Sequence, residues 1–178
     1  LLAVFILLPL EIMFGFIEKT SFWLGKLFFG TLTTEEVFKS PIKTAVKWGA
    51  KSADHLQSAS YEDFCSLASS GVVTALLPGT SICTKIPFAD GKKMSDANCA
   101  IAVASDFNPG SCTLWGLPMI AALAGIQCGL TGPQVLAGIT YVAALSLGLQ
   151  KQKGALCEGF DGDLCIFPLK DYSQWLYD

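Results

Sequence analysis

The sequence predicts an α/β fold built on a parallel sheet. Three observations predict it: apolar strand-like runs at residues 72–77 and 100–104, a shorter run at residues 50–54, and helix-start and helix-stop residues in the stretches between and after them. Strand and helix units in succession call for crossovers, and crossovers leave neighbouring strands parallel. Three strands alone do not close a barrel.

Ser40-Pro41 reads as an N-cap with proline at the first helical position, and Ile42, Ala45 and Val46 keep helical spacing up to Gly49, a natural stop. The strand over residues 50–54 then delivers His55. Ser60 caps the next helix, Glu62 and Asp63 sit in its first turn where the helix dipole favours acids, and Gly71 closes it. Residues 72–77 form an apolar strand stopped by Pro78-Gly79. A helix over residues 92–98 leads into the run Ala100-Ile101-Ala102-Val103-Ala104-Ser105, a fully buried strand that ends at Asp106. Residues 114–128 make a long apolar helix ended by Gly129. Thr131-Gly132-Pro133-Gln134 is a capping box of the Thr-x-x-Gln form, and the helix it opens is expected to run to Leu147.

After Gly148 the pattern changes. Glycines at 154, 159 and 162 flank two short strand runs, as in a hairpin or a pair of small-sheet strands. Asp171 onward, with Tyr172, Trp175 and Tyr177, reads as an aromatic tail docked on a surface groove. The chain thus divides into an unassigned apolar segment (1–40), the strand and helix units (41–148) and a minor unit of strands and tail (149–178).

The 178 residues are 52% hydrophobic and 15% charged, too apolar for disorder. A net charge of -3, a pI near 5.1 and the absence of a dense Lys/Arg cluster exclude a phosphate-backbone partner, so no nucleic acid is expected. The seven cysteines show neither a CxxC pair nor finger spacing, and their odd number and apolar settings fit reduced thiols in a cytoplasmic protein. Cys112 stands apart from the other six because it follows a polar loop. At the amino end, Leu1 to Leu10 is uncharged, but Glu11, Glu18, Lys19 and Lys26 interrupt the run before it can span a membrane. The Leu-Leu start, without Met, suggests a fragment, and the stretch reads as a buried core segment in preference to a membrane contact.

His55 and Asp106 carry the chemistry. Each stands at the carboxyl end of a predicted parallel strand, where α/β folds place their sites, so the two side chains are expected to share one pocket. A carboxylate on a buried strand needs a cation or hydrogen-bond donors. His55 is the one histidine of the chain, and on spacing alone a lone histidine is more often a satisfied core or surface residue than a catalyst. Asn108 and the amides around Gly110 and Ser111 could orient a polar substrate, though Asn-Pro-Gly is also an ordinary turn.

Ser52-Ala53-Asp54-His55-Leu56, Leu76-Leu77-Pro78-Gly79 and Ala104-Ser105-Asp106-Phe107-Asn108-Pro109-Gly110-Ser111, in this order and spacing, resemble the carboxyl-terminal part of the imidazolonepropionase family, within the metal-dependent amidohydrolases. The resemblance extends through Leu136-Ala137-Gly138-Ile139-Thr140 and the Gly154-to-Ile166 segment, covering residues 41–178. It implies the carboxyl-terminal portion of a TIM-like (β/α) barrel plus strands of a small β-sandwich made from both chain ends. It implies hydrolysis of the ring amide of 4-imidazolone-5-propanoate to N-formimidoyl-L-glutamate in histidine breakdown, a small-molecule substrate, and a homodimer, since members are commonly dimers. Asp106 matches the last-strand aspartate that binds a zinc or iron ion and handles the proton of the attacking water. His55 matches the histidine that contacts substrate and stabilises charge at its carbonyl, and Asn108, Gly110 and Ser111 match the loop that holds substrate.

The departures are as informative. The family's metal site also uses a His-x-His pair and a middle-strand histidine, and a chain with one histidine lacks them. Gln57 stands where the family more often has an acid. Two functions follow: an incomplete imidazolonepropionase-like hydrolase, inactive until the missing strands are supplied, or a non-catalytic degenerate homologue acting through partner or membrane contact.

Overall fold

The computed structural model describes residues 41–168 and 170–176. The apolar stretch 1–40, with the readings made of it, lies outside the described residues, as does Tyr177. Helix α1 (Pro41–Lys47) starts on its proline and is followed by Gly49 at φ +61°, a left-handed turn that suits glycine. β1 (Ser52–Asp54), β2 (Val73–Leu76) and β3 (Ile101–Val103) then make a parallel sheet in the order β1-β2-β3. Asp54 pairs with Ala75, and Ala75 with Ala102.

Both β2 and β3 are buried along their whole length, which is why they read as continuous apolar runs without alternation. The pleat still sorts their side chains. Leu76, Ile101 and Val103 enter the main core with Phe64, Met94, Ile120 and Val135, while Val73, Ala75 and Ala102 form a second cluster against Val142 and Leu145. Several of the helices joining or following the strands carry their own start signal. α2 (Tyr61–Ser69) is closed by a reciprocal cap in which Ser60 Oγ accepts from the Asp63 amide at 3.2 Å and the Ser60 amide donates to Asp63 Oδ2 at 3.0 Å. Its buried face is Phe64 and Leu67.

The strand stop at Pro78-Gly79 proves to be a helix start. α3 (Pro78–Thr84) begins with Pro78 in its first turn, where a missing amide hydrogen costs nothing, and lays Thr80 and Ser81 against the sheet's carboxyl edge. α4 (Gly91–Asp96) follows, capped by Asp90 Oδ1, which accepts from the Lys93 amide at 3.0 Å. α5 (Leu117–Ile126) is the apolar helix ahead of Gly129, whose φ is +76°.

The helix expected to run from Thr131 to Leu147 is two helices, α6 (Gly132–Ile139) and α7 (Tyr141–Ser146), broken at Thr140 with φ -120° and ψ -93°. The break has a packing partner. The backbone of Gly154 returns so close that a Cβ there would lie 2.8 Å from the Thr140 carbonyl oxygen and from Tyr141 Cα. At the other end of α6, the amide and hydroxyl of Thr131 both donate to Gln134 Oε1 at 2.8 Å, while Gln134 Nε2 reaches across to Ser95 Oγ on α4 at 2.6 Å.

The two strand runs expected between Gly154 and Phe167 are not strands. Residues 161–168 are exposed and unpaired in sheet terms, with Ile166 91% exposed. A strand gains stability from a ladder partner, and the described residues offer this segment none. At its start, Lys153 Nζ pairs with both Asp161 and Asp163. A 3-10 turn spans Tyr172–Leu176, with Trp175 against the main core and 5.8 Å from the Phe167 ring, while Tyr172 is exposed. Among the described residues no helix is long and apolar enough to cross a membrane.

Candidate active site

Two side chains that follow β1 and β3 meet beyond the carboxyl edge of the sheet. His55 follows β1 directly and Asp106 comes three residues after β3, and both adopt left-handed backbone, with φ of +57° and +51°. Such conformations are uncommon outside glycine and cost about 1–3 kcal/mol, so packing around them must hold them in place. Their effect is to turn the chain sharply as it leaves the sheet. His55 Nε2 and Asp106 Oδ2 come to 3.6 Å, with the side chains 38% and 18% exposed. The two side chains expected to meet beyond the strand ends are therefore within reach of each other.

Asp106 has a second partner that the sequence pattern did not reveal. Thr80 Oγ1, on the first turn of α3, donates to the same Asp106 Oδ2 at 2.6 Å. A signal for it existed: β2 lies between β1 and β3, so the first polar residue past its end belongs in the same pocket. Asp54, at the tip of β1, has its carboxyl raised above the usual range by the desolvation of surrounding atoms, although its surface remains partly open. The neighbouring His55 and a hydrogen bond with Ser52 oppose the rise, and the charge on Asp106 adds to it.

Asn108, Gly110 and Ser111 are brought to the same rim but bond one another. Asn108 Oδ1 accepts from the amides of Gly110 (2.9 Å) and Ser111 (2.8 Å), and Asn108 Nδ2 donates to the Asp106 carbonyl (2.7 Å) and to Ser111 Oγ (2.9 Å). Asn108 and Cys112 also pair through their backbones in an isolated antiparallel bridge. The Asn108 amide is thus committed to bracing the loop that carries Asp106. Cys112 is 1% exposed, donates to the Ser105 carbonyl at 3.2 Å, and has its thiol raised by burial, the setting of a packing residue. Gln57, in place of the expected acid, reaches toward Ser81 Oγ at 3.5 Å.

Among the described residues no cluster of three or more His, Cys, Asp or Glu side chains could hold a metal ion. Asp106 and His55 supply two donors at most, one short of the three protein ligands of an ordinary catalytic zinc. The described residues therefore do not by themselves fit a metal.

No protein-family model matches the chain. In structure it is similar to an adenosine deaminase from Xanthomonas campestris with bound zinc, at 16% identity and a TM-score of 0.68 over 89% of this chain and 39% of that one. It is also similar to an atrazine chlorohydrolase from Arthrobacter aurescens complexed with zinc and atraton, at 15% identity and a TM-score of 0.58 over 86% of this chain and 37% of that one. The fold is that of a segment of a (β/α) barrel of the kind these two enzymes share. In sequence, the chain is a relative of the imidazolonepropionases. It is 42% identical over 135 residues to the imidazolonepropionase of Kosmotoga olearia, covering 76% of this chain and 33% of that protein. It is 40% identical over 123 residues to that of Symbiobacterium thermophilum, covering 68% of this chain and 29% of that protein. The chain spans about a third of the length of the curated relatives it matches.

Proposed function

We propose that the chain supplies one catalytic edge of an imidazolonepropionase-like hydrolase, which opens the ring amide of 4-imidazolone-5-propanoate to N-formimidoyl-L-glutamate in histidine degradation. The observation that carries the reading is the approach of His55 Nε2 to Asp106 Oδ2, 3.6 Å apart at the carboxyl edge of a parallel sheet. Asp106 accepts a proton from the attacking water as its oxygen bonds to the ring carbonyl carbon, and returns that proton to the ring nitrogen as the C–N bond breaks. His55 faces the carbonyl and stabilises the negative charge that develops on its oxygen. Asn108, Gly110 and Ser111 act on substrate through the loop they brace. The zinc of the structural neighbours and the family resemblance support a metal ion in the complete site, with Asp106 as one ligand and the others from outside the described residues. Free cysteines throughout the chain fit a cytoplasmic setting.

A second reading, a degenerate homologue without catalysis, is favoured by one observation, the absence of a three-ligand cluster among the described residues. One experiment separates the two. In a hybrid, residues 41–178 replace the matching segment of the Kosmotoga olearia imidazolonepropionase, and loss of 4-imidazolone-5-propanoate is followed. Turnover supports the hydrolase reading, and a folded, inert hybrid supports the degenerate one.

A further inference from the structure

We propose that Thr80 is a positioning residue for Asp106: its hydroxyl fixes the carboxylate so that Oδ2 stays beside His55 while Oδ1 is presented to the pocket. This rests on the hydrolase reading for its consequence and on geometry for its existence. Thr80 is 4% exposed, and its Oγ1 lies 2.6 Å from Asp106 Oδ2, the same oxygen that stands 3.6 Å from His55 Nε2. Among the described residues Oδ1 has no hydrogen-bond donor, so one oxygen is tied down and the other is left to act.

The fold takes steps to bring this hydroxyl in. Gly79 lets the first turn of α3 press onto the end of β3, since a Cβ at that position would meet Cys112 Sγ and Ile120 Cδ1 at 2.8 Å and the Ser105 carbonyl oxygen at 3.2 Å. Behind it, Thr84 Oγ1 bonds the Thr80 carbonyl at 2.7 Å and tightens the turn. From the other side, Asn108 Nδ2 holds the Asp106 carbonyl at 2.7 Å. The side chain of Asp106 is therefore held from α3, which follows β2, and its backbone from within the loop that follows β3. A carboxylate with one oxygen committed to a fixed donor loses its rotation, which is what a group that must receive a proton from one direction requires.

The test uses Thr80→Val, which keeps shape and removes the donor, and Thr80→Ser, which keeps the donor. In the 178-residue chain the imidazole NMR signals at one fixed pH come from a single histidine and need no assignment. Thr80→Val should move the His55 ring signals in the same sense as Asp106→Asn, and Thr80→Ser should leave them near their original positions. In the hybrid, Thr80→Val should lower kcat about 10²-fold with KM changed less than about threefold, and Thr80→Ser should recover most of the loss. Unmoved ring signals in Thr80→Val, or a Thr80→Ser protein as impaired as Thr80→Val, overturns the proposal. A folded hybrid with Thr80 intact that turns over nothing sinks the hydrolase reading instead, and the ring signals alone then decide the role of Thr80.

Discussion

His55 Nε2 and Asp106 Oδ2 are 3.6 Å apart although the strands that deliver them are not neighbours. β2 stands between β1 and β3, which puts the two backbones about 10 Å apart in the sheet. Both residues leave the sheet in left-handed backbone, so a conformation that is costly for folding sits at each member of the pair.

That link makes asparagine the informative replacement, since it tolerates left-handed backbone better than most residues. Asp106→Asn in the hybrid enzyme should keep the fold, seen as an unchanged circular dichroism spectrum, and lower turnover by at least about 10²-fold. Retained turnover would reduce Asp106 to a structural acid.

His55→Asn should slow turnover about 10²- to 10⁴-fold with the fold intact. His55→Val adds a β-branched residue at φ +57° and should also lower the melting temperature. Equal melting temperatures for the two variants would show that the turn at His55 is not strained.

Gly79→Ala places a Cβ 2.8 Å from Cys112 Sγ and Ile120 Cδ1, and should destabilise the chain by about 1–3 kcal/mol in urea unfolding. A neutral result would mean that α3 shifts freely on β3.

The pH dependence of stability should show two opposite contributions. Asp90 has its carboxyl lowered, first by the Lys93 amide it caps, so its contribution is present above the unfolded carboxylate range and is lost as pH falls through the lowered value. Asp54 is raised, so its contribution is present in acid and is lost as pH rises through the raised value. Asp90→Ala should therefore cost about 0.5–2 kcal/mol at pH 7 and less as the solution is acidified, and Asp54→Asn should raise stability at pH 7 relative to pH 3. Urea midpoints at the two ends of each range check both signs.

Thiol labelling reports the packing. Cys83, Cys157 and Cys165 are exposed and should react first, whereas Cys128, buried with its thiol pushed up to about 11, and Cys112 should label only on unfolding. Mass spectrometry of a timed alkylation distinguishes them, and early labelling of Cys128 would contradict the core described for α5 and α6.

Local signals made much of this legible in advance. Ser60, Thr131, Pro41 and Gly129 act through atoms within a few residues, and each marks a boundary that the structure keeps. The meeting of His55 with Asp106 followed from a rule about strand ends that needs only the order of elements. Thr80 was not legible in the same way, because its bond to Asp106 spans 26 residues and exists only once α3 is pressed onto β3. The kink at Thr140 likewise depends on the return of Gly154, a tertiary contact without local trace. The segment after Gly154 reads as strands because its composition suits a sheet, but pairing depends on a neighbour that the sequence pattern of the segment does not contain.

Whether His55 and Asp106 work as one unit is read from a double-mutant cycle on turnover of 4-imidazolone-5-propanoate by the hybrid enzyme. With His55→Asn and Asp106→Asn combined, the rate should be close to that of the slower single variant, because either loss already disables the pair. Effects that multiply in full, as for two sites that do not touch, would contradict the account.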